Sequence, residues 1–144
     1  MPFFSIIIPT YNRAHMIDVA IQSVLDQTSS NWELIIVDDG STDDTKEVVE
    51  QFNDPRIKYV YQENQERSAA RNRGILVSNG EWICFLDSDD EFPSERLERF
   101  KESIAKQKNN KALYFTDITF QNSQEQQKIS FPPVTSQNPL EYLL

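Results

Sequence analysis

Four short apolar runs, each closed by turn-forming or charged residues, constrain this chain more than any other feature. They occupy residues 3–8, 33–37, 57–61 and 82–86. The first ends at Pro9 and the second at Asp38-Asp39-Gly40-Ser41. The fourth ends at Asp87-Ser88-Asp89-Asp90. Runs this short, rich in β-branched residues and bounded by turn formers, predict strands. They are almost continuously apolar rather than alternating, the pattern of strands covered on both faces, as in parallel sheets.

Helical periodicity fills the gaps. Residues 14–27 place Ile17, Ala20, Ile21, Val24 and Leu25 on one face. Ser41 is positioned to cap a second helix, with Asp43 and Asp44 in its first turn and Val48, Val49 and Phe52 inward. Residues 68–78 form a third. A fourth, capped by Ser94, runs to about residue 108 with Leu97, Phe100 and Ile104 inward. Strand and helix thus alternate, which predicts an α/β fold: a layered, mostly parallel sheet with helices on both faces and right-handed crossovers.

Beyond Lys111 the pattern weakens. Residues 112–120 predict a fifth strand, 121–128 a polar hairpin loop, and 129–131 a short returning strand. Pro132-Pro133 breaks the chain, and residues 138–144 start a helix. That helix closes on Leu140, Tyr142, Leu143 and Leu144 with little after it to pack against, so the expectation is a truncated domain. The expected division is 1–111 as a ligand-binding subdomain and 112–144 as the start of a second region.

A chain of 144 residues suits one compact domain. Its net charge of -9 argues against nucleic acid, whose binding needs Lys and Arg on phosphates. A phosphate ligand stays open if a divalent cation stands between. Cys84, the single cysteine, lies in an apolar run and reads as a buried, inert thiol. No internal disulfide can form, which fits a reducing compartment. The N-terminus lacks a signal-peptide pattern and no apolar run approaches a membrane span. The expectation is a cytoplasmic chain without a membrane span, with peripheral contact at the inner face of the membrane left open for the full protein.

In open α/β sheets, ligands bind beyond the carboxyl ends of the strands. Here those ends carry Pro9-Thr10-Tyr11-Asn12-Arg13, Asp38-Asp39-Gly40-Ser41 and Asp87-Ser88-Asp89-Asp90. Parallel strands bring all three to one edge, and five carboxylates there would repel unless a cation joined them. In an extended segment, residues two apart point the same way, so Asp87 and Asp89 can face one ion. Hard carboxylate oxygens suit Mg²⁺ or Mn²⁺. The competing reading is an acidic turn before the fourth helix. Three glycines, Gly40, Gly74 and Gly80, exclude a dinucleotide fingerprint, and no Gly-Lys-Ser/Thr occurs for a P-loop. His15, the single histidine, has no serine elbow and reads as a partly exposed residue at a helix start.

Four segments, in order, resemble family 2 inverting glycosyltransferases of the GT-A fold: residues 5–13, residues 37–43, Ser68-Ala69-Ala70-Arg71-Asn72-Arg73-Gly74, and Leu86-Asp87-Ser88-Asp89-Asp90. The resemblance covers about residues 3–110. It implies a donor site for a nucleoside diphosphate sugar, UDP by default, and a glycan or lipid-linked acceptor. Pro9 and Tyr11 would cradle the base, with Asn12 and Ser88 close by. Asp39 would accept a hydrogen bond from the uracil imide, and Asp38 would orient the loop or meet the ribose. Arg71 would approach the diphosphate or the sugar. Asp89, with Asp87, would hold Mn²⁺ or Mg²⁺. Arg13, Arg67 and Arg73 read as solvated charges.

The family's general base comes from a later segment, and no match stands before Leu144. Asp117 lies too early, and Glu125 and Glu141 fit no better. Two other readings stay in view. One is a non-catalytic module binding nucleotide sugar. The other is a phosphatase of the haloacid dehalogenase type, whose nucleophile strand Phe85-Leu86-Asp87-Ser88-Asp89 mimics.

Overall fold

The computed structural model describes residues 1–106 and the backbone of residues 118–121 and 126–129. The chain divides into two compact units, Met1–Ile104 and Ala105–Leu144. The first alternates β1 (Phe4–Thr10), α1 (Ile17–Leu25), β2 (Trp32–Asp38), α2 (Thr45–Glu50), β3 (Ile57–Tyr61), α3 (Glu66–Val77), β4 (Trp82–Phe85) and all but the last two residues of α4 (Arg96–Lys106). In the second, β5 (Ile118–Gln121) and β6 (Gln126–Ile129) pair antiparallel, Ile118 opposite Ile129. The return strand therefore starts earlier than residue 129. The expected helix start at 138–144 and the candidates Asp117, Glu125 and Glu141 lie outside the described residues.

β1 to β4 form one parallel sheet in the order β3-β2-β1-β4. Every residue of the central β1 and β2 is buried, whereas the outer β3 and β4 are half covered. Burial follows strand parity, because successive side chains point to opposite faces. Phe4, Ile6 and Ile8 of β1, with Trp32, Leu34 and Ile36 of β2, pack against Ile17, Ala20, Ile21 and Val24 of α1, Val49 of α2 and Leu97 of α4. Ile7, Ile35 and Val37 face the other way, onto Ala70 of α3. Among the described residues no helix is long and apolar enough to cross a membrane.

The buried residues of α3 are the small Ala70 and Gly74, so this helix comes close to the sheet. A Cβ on Gly74 would stand 2.4 Å from Ile7 Cγ2. Gly74→Ala should therefore force α3 away from β1 and cost about 1–3 kcal/mol, the usual range for overpacking. A urea midpoint unchanged from the parent would refute that account.

Helix starts depart from expectation for identifiable reasons. Ser41 caps nothing: its Oγ accepts the Asn12 N–H at 2.8 Å. α2 begins instead at Thr45, whose N–H is taken by Asp43 Oδ1 at 3.1 Å. Residues 14–16 form a turn, not helix, since Arg13 N–H goes to Thr45 Oγ1 and Ala14 N–H to Asp43 Oδ2, both at 3.0 Å. Ser94 does not cap α4. The buried Gln27 does, its Oε1 accepting Leu97 N–H at 3.1 Å while its Nε2 donates to the Ser23 and Pro93 carbonyls.

Candidate functional site

Parallel register brings the strand ends together. Thr10 is level with Asp38, and Ile7 with Phe85. Asp39 N–H donates to the Thr10 carbonyl at 2.9 Å, and Gln62 N–H to the Asp38 carbonyl at 2.9 Å. The loops after β1 and β2 are clasped in both directions. Asn12 holds φ at +51°, its N–H donates to Ser41 Oγ, and its Oδ1 accepts Thr42 N–H at 2.8 Å. A left-handed backbone suits Asn better than most side chains. Gly40 is left-handed too, at φ +84°, and a Cβ there would meet the Asn64 backbone nitrogen at 2.9 Å. The second loop thus lies directly against the segment entering α3.

Consecutive aspartates take opposite faces. Asp38 is buried on the side of Tyr59, whose hydroxyl donates to its Oδ2, while Oδ1 accepts Ser41 N–H at 2.8 Å. Burial, then the Asp38 carboxylate, pushes the Tyr59 phenol well above its ordinary value, so it stays a donor. Asp38 is a loop-orienting residue with both oxygens engaged. Asp39, 4% exposed, lines a cavity of about 470 Å³. Its Oδ1 accepts Gln62 Nε2 at 2.6 Å and Gln65 N–H at 2.9 Å. Its Oδ2 has no hydrogen bond among the described residues. Pro9, Thr10, Tyr11 and Arg13 form one wall of the cavity, Asn64, Glu66, Arg67 and Ala70 another, and Ser88 closes it from the fourth strand end. Tyr11 is 46% exposed, an aromatic face open to a planar ligand. Glu66 holds φ at +74° at the start of α3, a strained backbone at the cavity wall.

The acidic tetrad is not extended. Asp90 N–H donates to the Asp87 carbonyl at 3.0 Å, closing a turn over 87–90, so the two-residue alternation expected for Asp87 and Asp89 does not apply. Three of the five strand-end carboxylates, Asp38, Asp39 and Asp87, have protein partners. Tyr59 and Ser41 engage both oxygens of Asp38, and Gln62 and Gln65 engage Oδ1 of Asp39. Two guanidiniums satisfy Asp87: Arg71 Nη2 lies 2.7 Å from Oδ1 and Arg67 Nη1 3.4 Å from Oδ2. Arg71 also stacks over Phe85, 5.3 Å from the ring centroid, and its Nε is buried without a partner among the described residues. Asp89 is exposed and makes no hydrogen bond or ion pair among the described residues. Desolvation, then the charges of Asp89 and Asp87, pushes the Asp90 carboxyl upward. No cluster of three or more His, Cys, Asp or Glu able to hold a metal occurs among the described residues.

Pro9, Tyr11, Asp39 and Ser88, expected at the nucleotide, line the cavity, whereas Arg71, expected to approach the diphosphate or the sugar, pairs with Asp87. Asn12 spends its side chain tying loops together. Arg13 and Arg67, read as solvated charges, line the cavity, and Arg67 reaches Asp87. Arg67 could have been found, because it precedes Arg71 by four residues and shares its helix face. Gln62, Asn64 and Gln65 carried no such signal. His15 is exposed in the turn before α1. Cys84 is buried, which pushes its thiol up to about 12, against a smaller opposing effect of Arg96.

The family model described as Glycosyl transferase family 2 matches residues 5–143. The UDP-Glc:alpha-D-GlcNAc-diphosphoundecaprenol beta-1,3-glucosyltransferase WfgD of Escherichia coli is 46% identical over 95 residues, which are 65% of this chain and 38% of that protein. The GalNAc(5)-diNAcBac-PP-undecaprenol beta-1,3-glucosyltransferase of Campylobacter jejuni is 42% identical over 101 residues, 67% of this chain and 33% of that protein. The chain spans less than half the length of the relatives it matches. Among solved structures, Staphylococcus aureus TarS 1–349 in complex with UDP superposes with a TM-score of 0.69 at 33% identity, over 73% of this chain and 32% of that one. The mannosyltransferase PcManGT from Pyrobaculum calidifontis, in complex with GDP-Man and Mn²⁺, superposes with a TM-score of 0.61 at 27% identity, over 66% of this chain and 29% of that one.

Proposed function

Because this chain belongs to glycosyl transferase family 2 and carries the parallel α/β sheet of its GT-A structural neighbours, we propose that the cavity at its strand ends is the donor site of a transferase. That enzyme moves a sugar from a nucleoside diphosphate, UDP by preference, to a glycan or lipid-linked acceptor with inversion. The observation that carries this reading is Asp39: a buried carboxylate with one oxygen pinned by Gln62 and Gln65 and the other available in the cavity that Tyr11 lines. A carboxylate only accepts, so it selects a base that offers an N–H, as the uracil imide does. Tyr11 offers its face for stacking, and Pro9 forms the adjacent wall. Arg71 and Arg67 supply the positive charge that a diphosphate needs, since guanidinium forks match phosphate oxygens. Ser88 contributes a hydroxyl from the fourth strand end, and Asp38 and Asn12 hold the rim in shape.

Asp89 and Asp87 would hold Mn²⁺ or Mg²⁺. The donor set fits: both are hard oxygen ligands, Asp89 is unengaged, and such ions accept one or two protein carboxylates when substrate phosphates complete the shell. When bound, the ion supplies Lewis-acid stabilisation of the leaving diphosphate. A general base for the acceptor hydroxyl is required by inversion, and Asp117 is not assigned that task. The haloacid dehalogenase reading drops out with the family membership.

Thermal unfolding with UDP and Mn²⁺ tests the site. At a hundredfold excess over Kd, a ligand bound only by the native state adds about 2.7 kcal/mol. A melting temperature unmoved by UDP, with or without Mn²⁺, would sink the donor-site reading. Slow hydrolysis of a UDP-sugar separates a transferase from a module that only binds.

A further inference from the structure

We infer that Arg67 and Arg71 hold Asp87 shut until a diphosphate draws them away, so that nucleotide and divalent cation enter the site together rather than the cation first. This rests on the donor-site reading above and concerns how that site is controlled.

Both Asp87 oxygens are occupied, each by a different guanidinium: Oδ1 by Arg71 at 2.7 Å and Oδ2 by Arg67 at 3.4 Å. A cation arriving alone would find the carboxylates of Asp89 and Asp90 without hydrogen-bond or ion-pair partners among the described residues, but Asp87 already taken by two positive charges. Those guanidiniums block the Asp87 oxygens and offset the attraction of the neighbouring carboxylates. The clamp is built to open. Arg67 is 64% exposed, lines the cavity and sits at the longer distance, so releasing it costs little packing. Arg71 is the anchored member, stacked on Phe85 with a buried Nε that lacks a partner among the described residues. One helical turn separates the two on α3, so both forks reach the same point.

A diphosphate offers several anionic oxygens where Asp87 offers two, and charge-assisted guanidinium–phosphate bonds replace the ion pairs. Asp87 is then freed beside Asp89. The coupling is reciprocal: whatever UDP adds to cation affinity, the cation adds to UDP affinity.

Mn²⁺ titrations of the 144-residue chain, following the electron paramagnetic resonance signal of free Mn²⁺, test this with and without saturating UDP. In the parent, UDP should tighten Mn²⁺ binding about tenfold or more, within the usual span of coupling between sites. The double variant Arg67→Gln/Arg71→Gln should bind Mn²⁺ about tenfold more tightly without nucleotide, and UDP should then add about threefold or less. Arg67→Gln alone changes an exposed side chain and should move the same way by a smaller factor. Arg73→Gln removes the same charge from an exposed position of the same helix, touches nothing on Asp87, and should leave nucleotide-free Mn²⁺ affinity at the parental value. If the double variant binds Mn²⁺ alone no more tightly than Arg73→Gln, the clamp does not exist. If the parent takes up neither UDP nor Mn²⁺, the donor-site reading itself fails and the clamp with it.

Discussion

Glu33→Gln should remove about 3 kcal/mol of stability at neutral pH and flatten the acid side of the stability profile. Glu33 is 6% exposed at the amino end of β2, the opposite end of the sheet from the cavity. Burial by itself would raise its carboxyl. Ser5 Oγ at 2.6 Å, Lys58 Nζ at 2.9 Å and Asn79 N–H at 2.6 Å outweigh that and hold it at about 2, against an ordinary 4.5. Each pH unit of difference is worth about 1.4 kcal/mol, so the gap corresponds to roughly 3 kcal/mol. The folded carboxyl sits below its unfolded value. Its contribution is therefore fully present above about 4.5 and is lost as pH falls from there towards about 2. Glutamine cannot titrate, so the variant should start weaker at pH 7 and lose less than the parent between neutral and acid conditions. Urea midpoints at both ends of that range decide it. A parallel decline in the two proteins would mean that Glu33 carries no such linkage.

The second large effect belongs to Asp39→Asn, which should weaken UDP by about a hundredfold while leaving the fold intact. Asparagine can keep its Oδ1 on Gln62 and Gln65, so the inner bonds of the native carboxylate persist. It then offers an N–H to the cavity where the carboxylate offered an acceptor. A base presenting its own N–H meets a donor, and sites built around one buried hydrogen bond reject the mismatch strongly. CDP, whose ring nitrogen at that position accepts, should lose far less and close the gap with UDP. Calorimetry with both nucleotides reads the comparison. Unchanged UDP affinity in a folded variant would remove Asp39 from base recognition.

The architecture was legible because burial wrote itself into composition. β1 and β2 are covered on both faces, and their runs carry no alternating polar residues that could confuse the assignment. The motifs at the strand ends were equally legible, since topology alone brings parallel ends to one edge. What was not legible depends on distant partners. Whether Ser41 caps a helix or binds Asn12 is decided by how closely two loops approach. Gln27 serves α4 from the end of α1, seventy positions before the amide it accepts. The donors that meet Asp39 and Asp87 were not legible in the acidic motifs for a similar reason: acids counted along the strand ends do not show which groups of α3 and the β3–α3 segment will fold over them. The pairing of Arg67 with Asp87 was recoverable from helical spacing. The pinning of Asp39 by Gln62 and Gln65 was not, because nothing in a polar loop marks which amide will face which acid.

The clasp between Asn12 and the Ser41–Thr42 segment has one further consequence. Reciprocal hydrogen bonds leave the first two loops little freedom to move apart, so the wall bearing Tyr11 and the wall bearing Asp39 form one preorganised jaw. A ligand entering against it does not have to order those loops, and the conformational entropy of doing so is not charged against its affinity. Discrimination at that end of the cavity then comes from fit to a surface already set. The adjustable part of recognition falls to the side chains of α3 across from it.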